Sequence, residues 1–488
     1  MALTGVSPNS PLPEDLRELI LGASESGTGG TDRTVLIFGN RTATGTETLD
    51  TLDATDPIED DADARARFGA RSEWYAMYRK YVAVDPGATI YGIAVTESAG
   101  SAASCDLVVA TIPTASATLE ITIHGEVFYV AVAAGDAVND IASAIETAID
   151  DADDGRLQVT AATVAATVTV TAAQLGPRGD QIIGADATHG VRTRWLTSPG
   201  ATTVTKGNVV AGATADDGTA AFLSAVNFEN YYWVLPWTAT AALTATDNQI
   251  GEAVTNIVTQ ALPINGKEQI AIAGLRGTQA EATTTATSAG GNSVHLHLPH
   301  AEQSDWTAAM IAAHYAAVKR SQEIAHPCAN IAGYTSTDNT IWQLPMPFLV
   351  ADRASRTEMQ ADLNNGVSAI GTSANGQTYI VRDVTSRSSA TAGGDKDYRA
   401  REGHIYSCTA FAWQLFKSRY AAQKQPFVDD DPAEGEMPTA RTTTPSSVRG
   451  IMHGVIDDLT SSKPLGTYDG PILAPSKKQT MKDSVVAT

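Results

Sequence analysis

Residues 363–387 read LNNGVSAIGTSANGQTYIVRDVTSR. Gly366, Gly371 and Gly376 break the first half into a turn, and Tyr379–Val384 then alternates as a strand, with Arg382 inside it and Thr385 closing it. Upstream, Arg356–Asn364 reads as a helix. Downstream, Glu402–Lys424 reads as a strong one, with Ile405, Phe411, Trp413, Leu415 and Phe416 along it. The stretch therefore marks a change of texture at about residue 371.

Working outward toward the N-terminus, short apolar runs alternate with helical patterns. Thr34–Gly39 (TVLIFG) is an apolar run ended by glycine, as in a buried central strand. Ala62–Tyr81 reads as a helix interrupted near Gly69, its second half capped by Ser72, and Ala88–Thr96 reads as the next strand. The same texture returns after Val204. There Thr219–Val226, Asp247–Ala261 and Asp305–Ile324 are predicted helices, and Tyr231–Pro236, Gln269–Ala273 and Ser293–Leu298 predicted strands. Between the two blocks, residues 98–204 alternate Ala, Thr and Val. Strands are predicted at Leu119–Ile123, Val127–Ala133, Leu157–Thr160 and Thr167–Thr171, a hairpin turn at His124–Glu126, and one amphipathic helix at Asp136–Ile149.

The expected fold is thus α/β (α+β) and multidomain. Residues 31–97 and 205–370 form a discontinuous α/β core, 98–204 a β-rich insert and 371–488 a C-terminal α+β domain. Residues 1–30, rich in Pro and Gly, form an extended arm. A chain of 488 residues is too long for one ordinary core. Val428–Thr444 reads as an acidic loop, Ser447–Leu459 as a further helix and Lys463–Thr488 as polar and weakly structured.

Net charge is −22, which argues against a nucleic-acid partner and against docking on an anionic membrane. The charge is uneven: residues 371–488 hold 14 Lys/Arg against 13 Asp/Glu, so the acidity lies in the rest. No stretch of about 18 apolar residues suggests a membrane anchor, and the N-terminus lacks the pattern of a signal peptide. Cys105, Cys328 and Cys408 are sparse and odd in number, so they are read as reduced, mostly buried thiols.

Patterns for chemistry fail one after another. His295 and His297 in SVHLHLPH share a strand face, as two zinc ligands would, but no Cys, Asp or third His stands at ligand spacing. They are expected as polar side chains of a solvent- or interface-facing strand. No G-x-S-x-G elbow is present, and Asp247, His314 and Ser321 lack a surrounding motif, so they are expected as unrelated helix-surface residues. Neither Gly27–Gly30 nor Gly393–Gly394 is followed by Lys-Ser/Thr, so no phosphate loop is expected. Asp150–Gly155 lacks the spacing of a calcium loop. No enzyme, metal or cofactor is expected.

Several segments, in order, resemble the phage tail sheath family, especially its Mu-like branch. Thr34–Gly39 resembles the first core strand. Arg67–Ser72 resembles the F-G-x-G-S turn, with Ala70-Arg71 in place of x-Gly. Glu120–Asp136 followed by Ile141–Ile149 resembles the pattern of the insert, and Gly176–Asp180 with Ile182 its G-x-x-G-N-x-I turn. Asn364–Arg387 and Asp395–Arg399 resemble the point where the chain enters the tube-facing domain. The resemblance covers roughly residues 30–460. The chain departs from it at TMKDSVVAT, where the family carries a strand-forming arm.

The resemblance implies a virion structural subunit, assembled in the host cytoplasm, that polymerises helically around a tail tube and contracts to drive the tube through the host envelope. Its implied partners are copies of itself, linked by exchanged strands, the tail tube protein, and baseplate and terminator proteins. The insert would project outward. Arg382, Arg399, Arg401, Lys417, Arg419, Lys424 and Arg449 are the candidate contacts to the tube or to neighbouring subunits. The rival readings are another virion structural protein and a hydrolase on the α/β core.

Overall fold

The computed structural model describes residues 33–151, 157–184, 189–226, 228, 231–237, 249–262, 265–288, 293–326, 329–332, 342, 344–345, 347, 349–373, 376–387, 401–422, 427–428, 442–461 and 475–486. The expected arm, 1–30, lies outside them. Strand β1 (Val35–Asn40) is buried at every position, as its continuous apolar run requires. Helix α1 (Asp61–Phe68) stops at Gly69, whose φ of 88° ends the helical path. Helix α2 (Glu73–Val82) restarts from Ser72, whose side chain accepts from the Tyr75 N–H. Phe68 and Trp74 stack at 3.6 Å across this break, and Trp74 Nε1 donates to the Ile37 carbonyl at 2.8 Å. Strand β2 (Ile90–Val95) follows, parallel to β1.

The chain then leaves this sheet and builds a second body. It comprises β3 (Ala102–Ala110), β4 (Ala117–Ile123), β5 (Glu126–Val132), α3 (Val138–Asp151), β6 (Val159–Val164), β7 (Thr167–Leu175), the short α4 (Asp180–Ile183), β8 (Arg192–Trp195) and β9 (Thr203–Val210). Two antiparallel sheets result, ordered β6-β7-β3-β9 and β5-β4-β8. The β4–β5 turn is made by His124 and Gly125, both with positive φ, which suits a tight hairpin. Leu107, Ile121, Ile145 and Val170 belong to an apolar cluster drawn wholly from this body.

The return path gives α5 (Thr219–Ala225), β10 (Tyr232–Leu235), α6 (Gln249–Gln260), β11 (Ile270–Ala273), α7 (Gln279–Ser288), β12 (Leu296–His297), β13 (Pro299–His300) and α8 (Ala308–Ala325). The main sheet is ordered β12-β11-β10-β1-β2, and every pairing in it is parallel. Successive side chains point to opposite faces. Ile37, Val234 and Ile272 pack with α2 and α8 on one face, and Phe38, Trp233 and Ala271 with α5, α6 and α7 on the other. Each such apolar side chain contributes about 1.5–3 kcal/mol of burial for the larger types, so the sheet is held from both sides.

Helix α9 (Arg356–Asn364) opens with a capping box between Ser355 and Glu358. Ser368–Thr372, read from sequence as a glycine-broken turn, is strand β14, and β15 covers only Thr378–Ile380 of the longer strand expected there. Beyond it, single bridges join Val384 to Glu402 and Thr385 to His297. A three-stranded sheet, β13-β14-β15, is therefore entered only one residue after β12 leaves the main sheet. Helix α10 (Gly403–Ala422), the parallel pair β16 (Phe427–Val428) and β17 (Thr442–Thr443), α11 (Pro445–Leu459) and α12 (Lys478–Val486) complete the described chain. Ile380, Tyr406 and Ala410 share the apolar cluster of β1 and α8, so residues on both sides of the 388–400 gap pack on the main sheet. The tail expected to be weakly structured forms α12. It packs along α11, where Lys478 and Lys482 pair with Asp457 at 2.7 and 2.6 Å.

Candidate functional site at two charged joints of the core

Helix α8 is buried on all sides from Ala308 to Arg320. An apolar helix of that kind cannot send Lys319, Arg320 and Glu323 to water, so each needs a partner inside. Lys319 Nζ lies 2.7 Å from Asp383 Oδ2 and 3.1 Å from Glu323 Oε1. Asp383 Oδ1 also accepts from Tyr315 at 2.6 Å and from His297 Nδ1 at 2.9 Å. Glu323 is bound by Arg33, Tyr232 and Ser407. Arg320 donates to the Arg33 carbonyl at 2.6 Å and pairs with Asp85 at 2.6 Å. Arg33 two residues before β1, helix α8, the segment after β15 and helix α10 thus meet in one dry network.

The network balances. Arg33, Lys319 and Arg320 face Glu323, Asp383 and Asp85, and His297 completes it as a neutral ring. Burial works against the charged form of Asp383, but Lys319 and His297 beside it hold the carboxyl far below the ordinary range. Burial pushes Lys319 down, countered by Asp383, and pushes His297 down, with Lys319 adding to the effect and Asp383 opposing it. The backbone allows this closeness at Gly403, where a Cβ would stand 2.3 Å from Asp383 Oδ2 and 2.5 Å from His297 Cε1. A buried network whose charges pair with one another positions the chain segments that carry them.

The second joint lies where β1 has β2 on one side and β10 on the other, at the carboxyl ends of the strands. In open parallel sheets this is the usual crevice for a ligand. Here it is filled by Arg178, from the turn between β7 and α4 of the β-rich body. Its guanidinium pairs with Glu73 and Asp216, donates to Asn40 Oδ1 and sits 5.7 Å from the Trp237 ring. Asn40 also donates to Asp216 at 2.9 Å. Glu97 Oε1 accepts from the Leu175 N–H at 3.0 Å, and Asp216 Oδ1 from the Ser98 N–H at 2.7 Å. Further contacts cross the same interface: the ion pairs Arg192 with Asp305, Arg71 with Asp150 and Lys80 with Glu126, and a hydrogen bond between His189 and Asp352.

The candidate cations are placed as follows. Arg382 is 51% exposed and pairs with Glu402 at 2.5 Å. Arg401 and Lys417 are buried, so they present little surface to a partner. Arg419 pairs with Asp458 between α10 and α11. Arg449 is half-exposed on α11. Arg399 and Lys424 lie outside the described residues. The histidines correct the sequence reading. His297 and His300 are fully buried rather than solvent-facing, and His300 binds Asp362 at 2.7 Å and the Gly277 carbonyl at 2.8 Å. No group of His, Cys, Asp and Glu among the described residues could hold a metal ion. His314 is buried between Trp306 and Trp342 rather than on a helix surface, Ser321 bonds its own helix, and Asp247 lies outside the described residues. Cys105 is a buried free thiol, and Cys408 is disulfide-bonded, which corrects its reading as reduced; Cys328 lies outside the described residues. Asp383, the centre of the first joint, was passed over beside Arg382. The available signal was the K-R-x-x-E run on a helix apolar all round.

In comparisons with known proteins, no family model and no curated protein matches this chain. No helix of the described residues is long and apolar enough to cross a membrane.

Proposed function

We propose that this chain is the repeating subunit of a contractile tail sheath, polymerising helically around an inner tube and contracting to drive that tube through a host envelope. The observation that carries this reading is the path of the chain. A parallel core sheet is left after β2, a self-contained β-rich body follows, and the sheet resumes at β10. That order runs parallel to the order of the family-like segments in the sequence. The charged side chains of both joints are consumed by internal pairing, as befits a mechanical part.

Strand exchange between neighbours has a natural acceptor in β16 and β17. Two parallel strands of two residues each are not a stable sheet alone, and among the described residues they pair only with each other. An extended arm from a neighbour would add to their edges by main-chain hydrogen bonds. Of the candidate tube contacts among the described residues, Arg382, Arg419 and Arg449 keep surface to offer. Exposed pairs of this kind are worth about 0–1 kcal/mol each and let a tube be held reversibly. Negative-stain microscopy of the purified protein is the direct test. Hollow helical sheaths are the expected result, and stable monodisperse monomers at high concentration would overturn the reading.

A further inference from the structure

The core and the β-rich body share no apolar cluster. The buried hydrophobic residues of the β-rich body, Ala117 aside, form their own cluster, and neither cluster of the main sheet contains a residue from 102–210. The interface between them is instead crossed by charged contacts, among them Arg178 on Glu73 and Asp216 and the buried Arg276 on the Gln181 carbonyl. We propose that Arg178, held among Glu73, Asp216 and Glu97, is a latch between the two bodies whose grip depends on whether Glu73 and Glu97 carry a proton. The inference is independent of whether the chain polymerises.

The geometry is one of excess negative charge. One guanidinium faces Glu73 from α2, Asp216 from the segment before α5 and Glu97 from the segment after β2, while Asn40 of β1 and Trp237 are its neutral neighbours. Two carboxylates touch the guanidinium directly and the third lies behind Asn40. Burial pushes the Glu73 carboxyl up to about 7, with Asp216 and Glu97 adding to the effect and Arg178 opposing it. Burial also pushes Glu97 up, joined by Asp216.

The sign follows from linkage. When the bodies separate, Glu73 and Glu97 regain water and their ordinary, lower values. The docked state then binds more protons than the separated one between about pH 4.5 and pH 7, so docking weakens as pH rises through that window and levels off above it. This is the reverse of a simple salt bridge, which acid breaks.

Backbone amides at the joint report it in the full chain. The N–H groups of Ser98 and Leu175 donate to Asp216 and Glu97, whereas those of β4 lie inside the β-rich body's own sheet. Hydrogen exchange, corrected for the intrinsic pH dependence, is expected to show about tenfold or greater loss of protection at Ser98 and Leu175 between about pH 5.5 and pH 8, with β4 unchanged. Glu73→Gln should flatten most of that pH dependence and keep the joint protected at the higher pH. Arg178→Gln should leave both amides weakly protected throughout. Protection at Ser98 and Leu175 that does not vary with pH in the unsubstituted protein would overturn the proposal. So would a loss shared equally by β4, since that reports unfolding of the body rather than release of the latch.

Discussion

At the scale of single residues, two buried histidines three positions apart, His297 in the first joint and His300 outside it, meet opposite demands. His300 is pushed down by burial, but the hydrogen bond and charge of Asp362 prevail and its value ends raised; that of His297 ends lowered. A raised histidine stabilises the fold fully below its unfolded value near 6.5, and that contribution is lost as pH rises through the folded value. His300→Gln should therefore cost more stability at about pH 6 than at about pH 8.5, as read by urea unfolding. A lowered histidine works the other way: the unfolded chain takes up a proton below about 6.5 and the folded one does not, so His297 erodes stability on acidification. Asp383 is the costliest residue to remove. Asp383→Ala leaves buried Lys319 with Glu323 alone, takes the acceptor from Tyr315 and His297, and is expected to destabilise by about 3–5 kcal/mol, measured by denaturant unfolding at neutral pH. A loss under about 1 kcal/mol would mean that water reaches the network. None of this was legible beforehand. Strand alternation marks Arg382 as the exposed cation, and only tertiary packing turns its neighbour Asp383 inward.

At the scale of elements, the close seat of α10 on the first joint is set by the missing side chain at Gly403. Gly403→Ala would press a methyl group onto Asp383 and His297, forcing α10 outward; a lowered melting temperature and faster exchange in the first turn of α10 are expected, with the β-rich body unaffected. The elements that sequence reading found were those with clean periodicity and a cap, such as α2 behind Ser72 and α9 behind its capping box. Those it missed had composition against them. Helix α7 is QAEATTTATS, with Ala282 and Ala286 its apolar residues buried on the sheet and Thr285 buried beside them, and its threonines look like strand residues. In place, Thr284, Thr285 and Thr287 each donate to the carbonyl four residues earlier, which satisfies their hydroxyls within the helix. Strand β14 was hidden by Gly371, and the cross-strand Tyr379 ring occupies the space above that glycine. Strands β8 and β9 are paired by distant partners, a relation that local periodicity does not carry.

At the scale of the whole molecule, the question is what the β-rich body contributes to the rest. Its chain enters and leaves at adjoining points: the Ser98 hydroxyl donates to the Thr214 carbonyl at 2.8 Å, and a bridge joins Ser101 to Ala213. Its apolar cluster is its own, so cutting it away opens no cavity in the core. What excision exposes is charge: Glu73, Asp216 and Asp305 lose Arg178 and Arg192 but gain water, a far smaller penalty than an unpaired charge left in a dry interior. Joining Ser98 to Thr214 through a short glycine linker should therefore leave a core that unfolds cooperatively, because β1, β2, β10 and β11 keep every pairing they now make. If the chain is a sheath subunit with this body on the outside, the excised protein should still form helical polymers, thinner in projection by the missing lobe. Folded but unassembled protein would place the β-rich body in the contacts between subunits, and an unfolded product would show that the charged joint, despite its polarity, holds the core itself together.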